Sequence, residues 1–183
     1  MQSKSSNQEH ATPAVKEDRP LVSVVMVAYC QERIVTEAIQ SCFDQTYEPI
    51  EIIISDDCST DGTWEVIKSM AAKYEGQHKI VTNRNSKNLG IAGNVNKVLQ
   101  MASGTLILAH AGDDISMPER AERSVIAWLK DPINIKAISS ASQTMTREGE
   151  VIGTLSAFDS PGHAAEPNAM QVMKNRAYCL GAA

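Results

Sequence analysis

Ile50-Glu51-Ile52-Ile53-Ile54-Ser55-Asp56-Asp57-Cys58-Ser59-Thr60-Asp61-Gly62-Thr63 decides the fold. Its first half is a β-branched run of strand length, and it ends on two adjacent carboxylates. Val66, Ile67, Met70, Ala71 and Tyr74 follow at the spacing of an amphipathic helix. A strand that passes through a polar turn into such a helix is half of a βαβ unit. The same half-unit precedes it. Residues 21–28 form a nearly continuous, Val-rich apolar run, as a parallel strand covered on both faces does. Val35, Ile39 and Cys42, with Ile34, Ala38 and Phe43 beside them, mark the next helix.

Downstream, residues 79–83 predict a short third strand, Val95, Val98, Leu99 and Ala102 a third helix, and residues 105–109 a fourth strand. Pro118 suits the first turn of a helix carrying Ala121, Val125, Trp128 and Leu129. Residues 135–140 predict a fifth strand, and residues 143–154, with Glu148-Gly149 near the middle, a hairpin. A helical-looking piece then ends at Arg176, and residues 178–183 read as a final, abbreviated element. Residues 1–19 are polar and predict a flexible tail. Residues 20–183 form one α/β domain, a Rossmann-like, mostly parallel sheet flanked by helices with a small hairpin region towards the C-terminal end. A chain of 183 residues, 43% of them hydrophobic, is long enough to bury one such core.

Composition narrows the function. The net charge of −5, without long basic runs, lacks the footprint that nucleic acid needs. No stretch approaches the roughly 20 apolar residues of a membrane span, and the opening residues lack the pattern of a signal peptide. Cys30, Cys42, Cys58 and Cys179 have no metal-ligand spacing; three lie in segments that read as buried, and all fit free thiols in a reducing cytosol. The expected location is cytoplasmic, peripheral to a membrane at most. His10, His78, His110 and His163 also lack ligand spacing and are expected on the surface or in loops. Met26, Met70 and Met101 are expected in the core.

In an open parallel sheet, ligands bind beyond the carboxyl ends of the strands. After the first strand stand Tyr29 and Glu32, an aromatic face and a carboxylate; simple packing and a favourable charge near a helix start also account for them. After the second strand come three acids and three hydroxyls within residues 56–63. Ser59, Thr60 or Asp61 can cap the next helix. Capping does not account for Asp56 and Asp57, which repel each other unless something donates to them; a base amide N–H and a ribose hydroxyl are suitable donors. After the fourth strand, Asp113 and Asp114 make an oxygen-rich site suited to a hard divalent cation, which would neutralise a diphosphate. A helix-capping loop before Pro118 is the plainer alternative. Residues 85–94 form a polar, glycine-bearing loop in which Lys87 is placed to meet a phosphate, although such loops are often only turns.

Taken in order, residues 24–32, Gln45-Thr46, residues 51–63, residues 88–94, and Ala102-Ser103-Gly104 running into Asp113-Asp114 resemble family 2 glycosyltransferases of the inverting GT-A type. The likeness is clear over residues 20–120 and loose beyond. It implies metal-assisted transfer of a sugar from a nucleotide-sugar, a UDP-sugar by the paired Asp56-Asp57, to a hydroxyl of a glycan, lipid-linked or other acceptor, as in polysaccharide biosynthesis. Val27, Tyr29 and Asp57 would hold the nucleotide base, and Glu32 is the family's first-loop acid. Asp113 would hold the ribose, and Asp114 a Mn or Mg ion bridging the diphosphate. Cys30 stands where the family usually has Asn, and Ala111 where many members carry another Asp, so the metal has fewer protein ligands. An inverting transfer needs a carboxylate to take the acceptor's proton. The family's base lies after the segment that residues 178–183 resemble, so it is expected after Ala183 with the acceptor-binding part. A sugar-nucleotide-forming nucleotidyltransferase is disfavoured because residues 28–33 contain no glycine, and a dehydrogenase because no Gly-x-Gly-x-x-Gly follows the first strand. The remaining alternative is a non-catalytic nucleotide-binding or assembly module of the same fold.

Overall fold

The computed structural model describes residues 19–146, 149–155 and 177–181. Of the tail expected over residues 1–19, residues 1–18 lie outside the described residues, as does the helical piece expected up to Arg176; Arg19 itself is held, paired with Glu122 (2.6 Å) and set over the Tyr47 ring. The elements run β1 (Val22–Ala28), α1 (Val35–Phe43), β2 (Ile50–Asp56), α2 (Thr63–Lys73), β3 (Lys79–Arg84) and α3 (Gly90–Met101). They continue with β4 (Leu106–Ala111), α4 (Arg120–Leu129), β5 (Ala137–Ser140), β6 (Ser142–Met145), β7 (Val151–Leu155) and β8 (Ala177–Gly181).

Six strands make one sheet in the order β3-β2-β1-β4-β8-β5, and every pairing within it is parallel. Period two sorts the side chains to its two faces. Val22, Val24, Met26 and Ala28 of β1 lie with Ile50, Ile52 and Ile54 of β2 and Leu106 and Leu108 of β4, under Val35, Ile39 and Cys42 of α1, Ile67 of α2 and Val125 of α4. The alternate residues Val25, Ile53 and Ile107 face Val98 of α3 and Ala102 just after it. Coverage on both faces is why β2 is buried along its whole length. The order turns at β1, whose neighbours β2 and β4 are reached by connections on opposite sides. That makes the carboxyl ends of β1, β2 and β4 a topological switch point.

The alternation of strand and helix follows the sequence reading through α4, and β6 and β7 form the antiparallel hairpin. Four details differ. β4 extends to Ala111, so His110 is a strand residue only 4% exposed and not a loop residue. The helix α4 begins at Arg120, with Pro118 in the turn before it. The cause is tertiary: the Pro118 carbonyl accepts a hydrogen bond from the Thr46 amide (3.0 Å). β5 begins two residues later than expected, because Asp131 binds the amide and side chain of Asn134 in a turn. Cys30 is exposed, since it lies past the end of β1 in a turn. The last element is a strand, β8, placed between β4 and β5.

At the amino ends of the strands lies a buried charge. Glu51, 1% exposed, accepts hydrogen bonds from the Ser23 hydroxyl (2.6 Å), the Ser103 amide (2.6 Å) and the Ser103 hydroxyl (2.8 Å), with Lys79 Nζ 3.3 Å away. Burial alone would raise its pKa; the hydrogen bonds from Ser23 and Ser103 and the Lys79 contact outweigh it and hold the carboxyl at about 2. Gly104 closes this corner. Its amide donates to Ser23 Oγ (2.7 Å), and a Cβ there would come within 2.6 Å of the Ser23 backbone nitrogen. Only glycine fits so close to β1.

Candidate functional site

Backbone bonds tie the strand tips together. The Asp57 amide donates to the Ala28 carbonyl, the Asn85 amide to Asp56 and the Gly112 amide to Val27, each at 2.9 Å. Residues following β1, β2, β3 and β4 thus leave the sheet as one cluster. The loops after β1 and β2 are further stitched side by side. The Cys30 amide donates to Ser59 Oγ (2.9 Å), the Gln31 amide to Thr63 Oγ1 (2.8 Å) and the Glu32 amide to Asp61 Oδ2 (3.2 Å). In return the Gly62 amide donates to Glu32 Oε2 (3.1 Å), and a Cβ on Gly62 would displace that carboxylate. The hydroxyl-rich run 59–63 therefore positions the first loop, and its Asp61 also binds the amide of Thr63 at the start of α2 (3.1 Å).

Both loops carry a cysteine in the left-handed region, Cys30 at φ 53° and Cys58 at φ 63°. Asn is several-fold enriched at such angles, a local reason for the Asn usual at position 30 in the resembled family. The Thr60 amide and hydroxyl beside the exposed Cys30 thiol hold its pKa below the ordinary value. A cavity of about 410 Å³ lies against Cys30, Gln31, Glu32, Arg33, Ile34 and Asp61. It brings Glu32 and Cys30 together but is not lined by Asp57, Asp113 or Asp114.

The paired carboxylates after β2 have different environments. Asp56 is fully buried; its Oδ2 meets Arg84 Nε at 3.2 Å and accepts from the Ser59 amide (3.1 Å), while its Oδ1 is buried with no partner among the described residues. Arg84 also donates to the Ser59 carbonyl (2.9 Å), so the ion pair fastens the loop. Asp57 is 3% exposed. Its Oδ1 accepts from Asn85 Nδ2 (2.8 Å) and the Leu89 amide (2.9 Å), and no hydrogen bond among the described residues uses Oδ2. Behind it, Asn85 Nδ2 reaches Asn94 Oδ1 (3.0 Å), which accepts from the Ser55 hydroxyl (2.6 Å). These buried amides make residues 85–94 more than a turn: Asn85 and Asn94 set the Asp57 carboxylate in place. Protein donors therefore supply part of the compensation that the acidic pair requires.

The remaining expected residues spread around this cluster. Val27 is the penultimate residue of β1 and packs towards α3. Tyr29 projects beyond it, 47% exposed. Glu32 and Asp113 are exposed, and Lys87 is exposed on the loop before α3. Gly112 is buried against Gln31 and Ala28, leaving no room for a Cβ. Directly after it, Asp114 is half-buried, and its carboxyl is raised above the usual range by burial and then by the charge of Asp113. Such a carboxyl gains from a cation. Among the described residues no group of three or more His, Cys, Asp or Glu is arranged to hold a metal. The two aspartates are hard oxygen ligands and fit a Mg or Mn ion that takes its other ligands from phosphate and water. Sequence reasoning missed His110. Burial, with Arg120 nearby, drives its pKa down to about 4, and its Nδ1 donates to the Ala111 carbonyl (2.7 Å). It is a neutral structural group.

Comparison with known proteins agrees with this architecture. The model of the family described as "Glycosyl transferase family 2" matches residues 23–153. EpsE of Bacillus subtilis, named as a glycosyltransferase, is 42% identical over 106 residues, which is 58% of this chain and 37% of that protein. An uncharacterized glycosyltransferase of Haemophilus influenzae is 34% identical over 139 residues, covering 75% of this chain and 42% of that protein. The chain thus spans about two-fifths of the length of these relatives. Among solved structures, TarS of S. aureus superposes with a TM-score of 0.57 at 24% identity, over 69% of this chain and 22% of that one. The mannosyltransferase PcManGT of Pyrobaculum calidifontis, solved with GDP-Man and Mn2+, gives 0.56 at 24% identity, over 70% and 36%. These likenesses show a common fold. With the family model matching most of the domain and a GT-A fold shared with solved glycosyltransferases, the chain belongs to glycosyl transferase family 2.

Proposed function

We propose that this chain forms the donor half of a glycosyltransferase that moves a sugar from a UDP-sugar to an acceptor hydroxyl, with inversion and with a Mn or Mg ion. The observation that carries the reading is the cluster of strand tips, where Asp57 and the raised Asp114 stand on either side of β1 at the switch point. Asp57 presents Oδ2 to a base N–H, with Oδ1 held by Asn85 and Leu89. Tyr29 offers its exposed ring as a stacking surface. Asp113 serves the ribose, Lys87 a phosphate, and Glu32 braces the first loop through Gly62. Asp114, with Asp113 beside it, would hold the ion, whose contribution is to neutralise the diphosphate leaving group. A glycan or lipid-linked acceptor is in keeping with a relative named as a UDP-Glc:α-D-GlcNAc-diphosphoundecaprenol glucosyltransferase. No helix among the described residues is long and apolar enough to cross a membrane. A cytoplasmic location belongs to the same reading and rests on the free thiols Cys30, Cys42 and Cys58.

Thermal unfolding with Mn present and UDP, CDP or GDP added in turn tests the donor assignment. UDP at about 100 times its Kd is expected to stabilise the fold by about 2.7 kcal/mol, visible as a rise in Tm, and CDP and GDP by clearly less. A larger rise with GDP would overturn the uridine assignment. No rise with any of the three would favour an assembly module.

A further inference from the structure

Gln45 and Thr46, which follow α1, have no part in the donor contacts, yet the structure commits them to the loop that carries the acidic pair. Gln45 is 5% exposed and uses its whole carboxamide. Nε2 donates to the Met117 carbonyl (2.9 Å) and the Ser41 carbonyl (3.1 Å), and Oε1 accepts from the Ala121 amide (3.0 Å). Ala121 is in the first turn of α4, whose own N-cap residue makes no side-chain cap bond, so Gln45 caps that helix from another element. The Thr46 amide holds the Pro118 carbonyl (3.0 Å). One turn earlier on α1, Ser41 Oγ accepts from the Ser116 amide (3.0 Å). Arg120 binds the Ser116 hydroxyl (3.0 Å) and the Ala109 carbonyl (2.9 Å), joining the start of α4 to β4.

The loop after β4 is therefore pinned at both ends. Gly112 is fixed to Val27 at one end, and residues 116–121 are fixed to the end of α1 at the other. Only Asp113, Asp114 and Ile115 lie between the two anchors. We propose that Gln45 is a positioning residue for the metal-dependent part of donor binding: through Met117 and the start of α4 it sets where Asp113 and Asp114 stand. This rests on the donor-site reading above. Its carboxamide supplies a donor to one side of the junction and an acceptor to the other, which an apolar side chain of equal size cannot do.

The test is the ratio of UDP affinity with Mn to that with EDTA, measured by titration calorimetry on the whole chain for wild type and Gln45→Met. Partial unfolding weakens both affinities by the same factor and cancels in the ratio, so a merely structural role would not move it. The expected result is a ratio about ten-fold lower in Gln45→Met, in keeping with the loss seen when groups behind metal ligands are removed. Recovery is expected in Gln45→Glu at a pH where the new carboxyl is protonated and again both donates and accepts, read as a ratio relative to wild type at the same pH. An unchanged ratio in Gln45→Met overturns the proposal. If that variant does not fold, Gln45→Asn, which keeps the carboxamide but draws it back by one methylene from Met117 and Ala121, is read in the same way, and an unchanged ratio there overturns it equally. A wild-type ratio of one means that the acidic pair takes no metal with UDP, which overturns the donor-site reading itself and this proposal with it.

Discussion

Replacing Asp114 by Ala is expected to weaken UDP binding in the presence of Mn by about 100-fold, some 2.7 kcal/mol, without lowering the melting temperature. Both halves follow from the environment of the carboxyl. Burial and the adjacent Asp113 push its pKa up, so in the free protein the charge is held at a cost and its removal does not weaken the fold. With an ion present the same charge is expected to become a ligand, and Asp113 and Asp114 are the only carboxylates between Gly112 and Pro118. Isothermal titration and a thermal melt of the two proteins check this. Equal affinity in Mn would show that Asp114 is not a ligand, whereas a large fall in Tm would assign it to the fold.

Glu51→Gln is expected to be the most damaging conservative change at the opposite end of the sheet. The folded pKa of about 2 lies below the ordinary 4.5, so the carboxylate contributes stability above pH 4.5 and loses it as the pH falls towards 2. A shift of that size corresponds to about 3 kcal/mol, reasonable for a side chain 2% exposed, although Lys79 is largely in water and adds little. Urea unfolding at several pH values between 7 and 2 should give the wild type a steep acid limb below pH 4.5. The variant should be about 3 kcal/mol less stable at pH 7 and much flatter below. Parallel acid limbs would show that Glu51 does not control this titration.

How far the fold was legible can be traced strand by strand. Buried parallel strands read as unbroken Val and Ile runs because both faces are covered, so β1 and β2 were plain and the acids at their ends could be located. Each helix that covers those strands carries one apolar stripe at helical spacing, which is equally local. The position of β8 was not local: it pairs with β4 and β5, far away in sequence, and periodicity carries no record of strand order. His110 was misjudged for a related reason. A polar residue near a strand end reads as loop; the tertiary partner Ser41 and the carbonyl of the next residue, Ala111, make its burial tolerable. The acidic positions Asp57, Asp113 and Asp114 stood out because adjacent carboxylates need an explanation. The role of Asn85, Asn94 and Gln45 did not, even though Gln45 and Asn94 fall among the residues that carry the resemblance, since an Asn or Gln in a polar stretch looks the same whether it serves a turn or a buried network. The positive φ at Cys30 and Cys58 was likewise hidden, because neither residue type advertises it.

Calorimetric titration of the chain with UDP, with Mn and then with EDTA, beside Asp57→Ala and Asp114→Ala, tests the donor site most directly. The account predicts binding that strengthens with Mn in the wild type, loss of the Mn-dependent gain in Asp114→Ala, and weak binding under both conditions in Asp57→Ala. Wild-type binding that ignores Mn and survives both substitutions would contradict it.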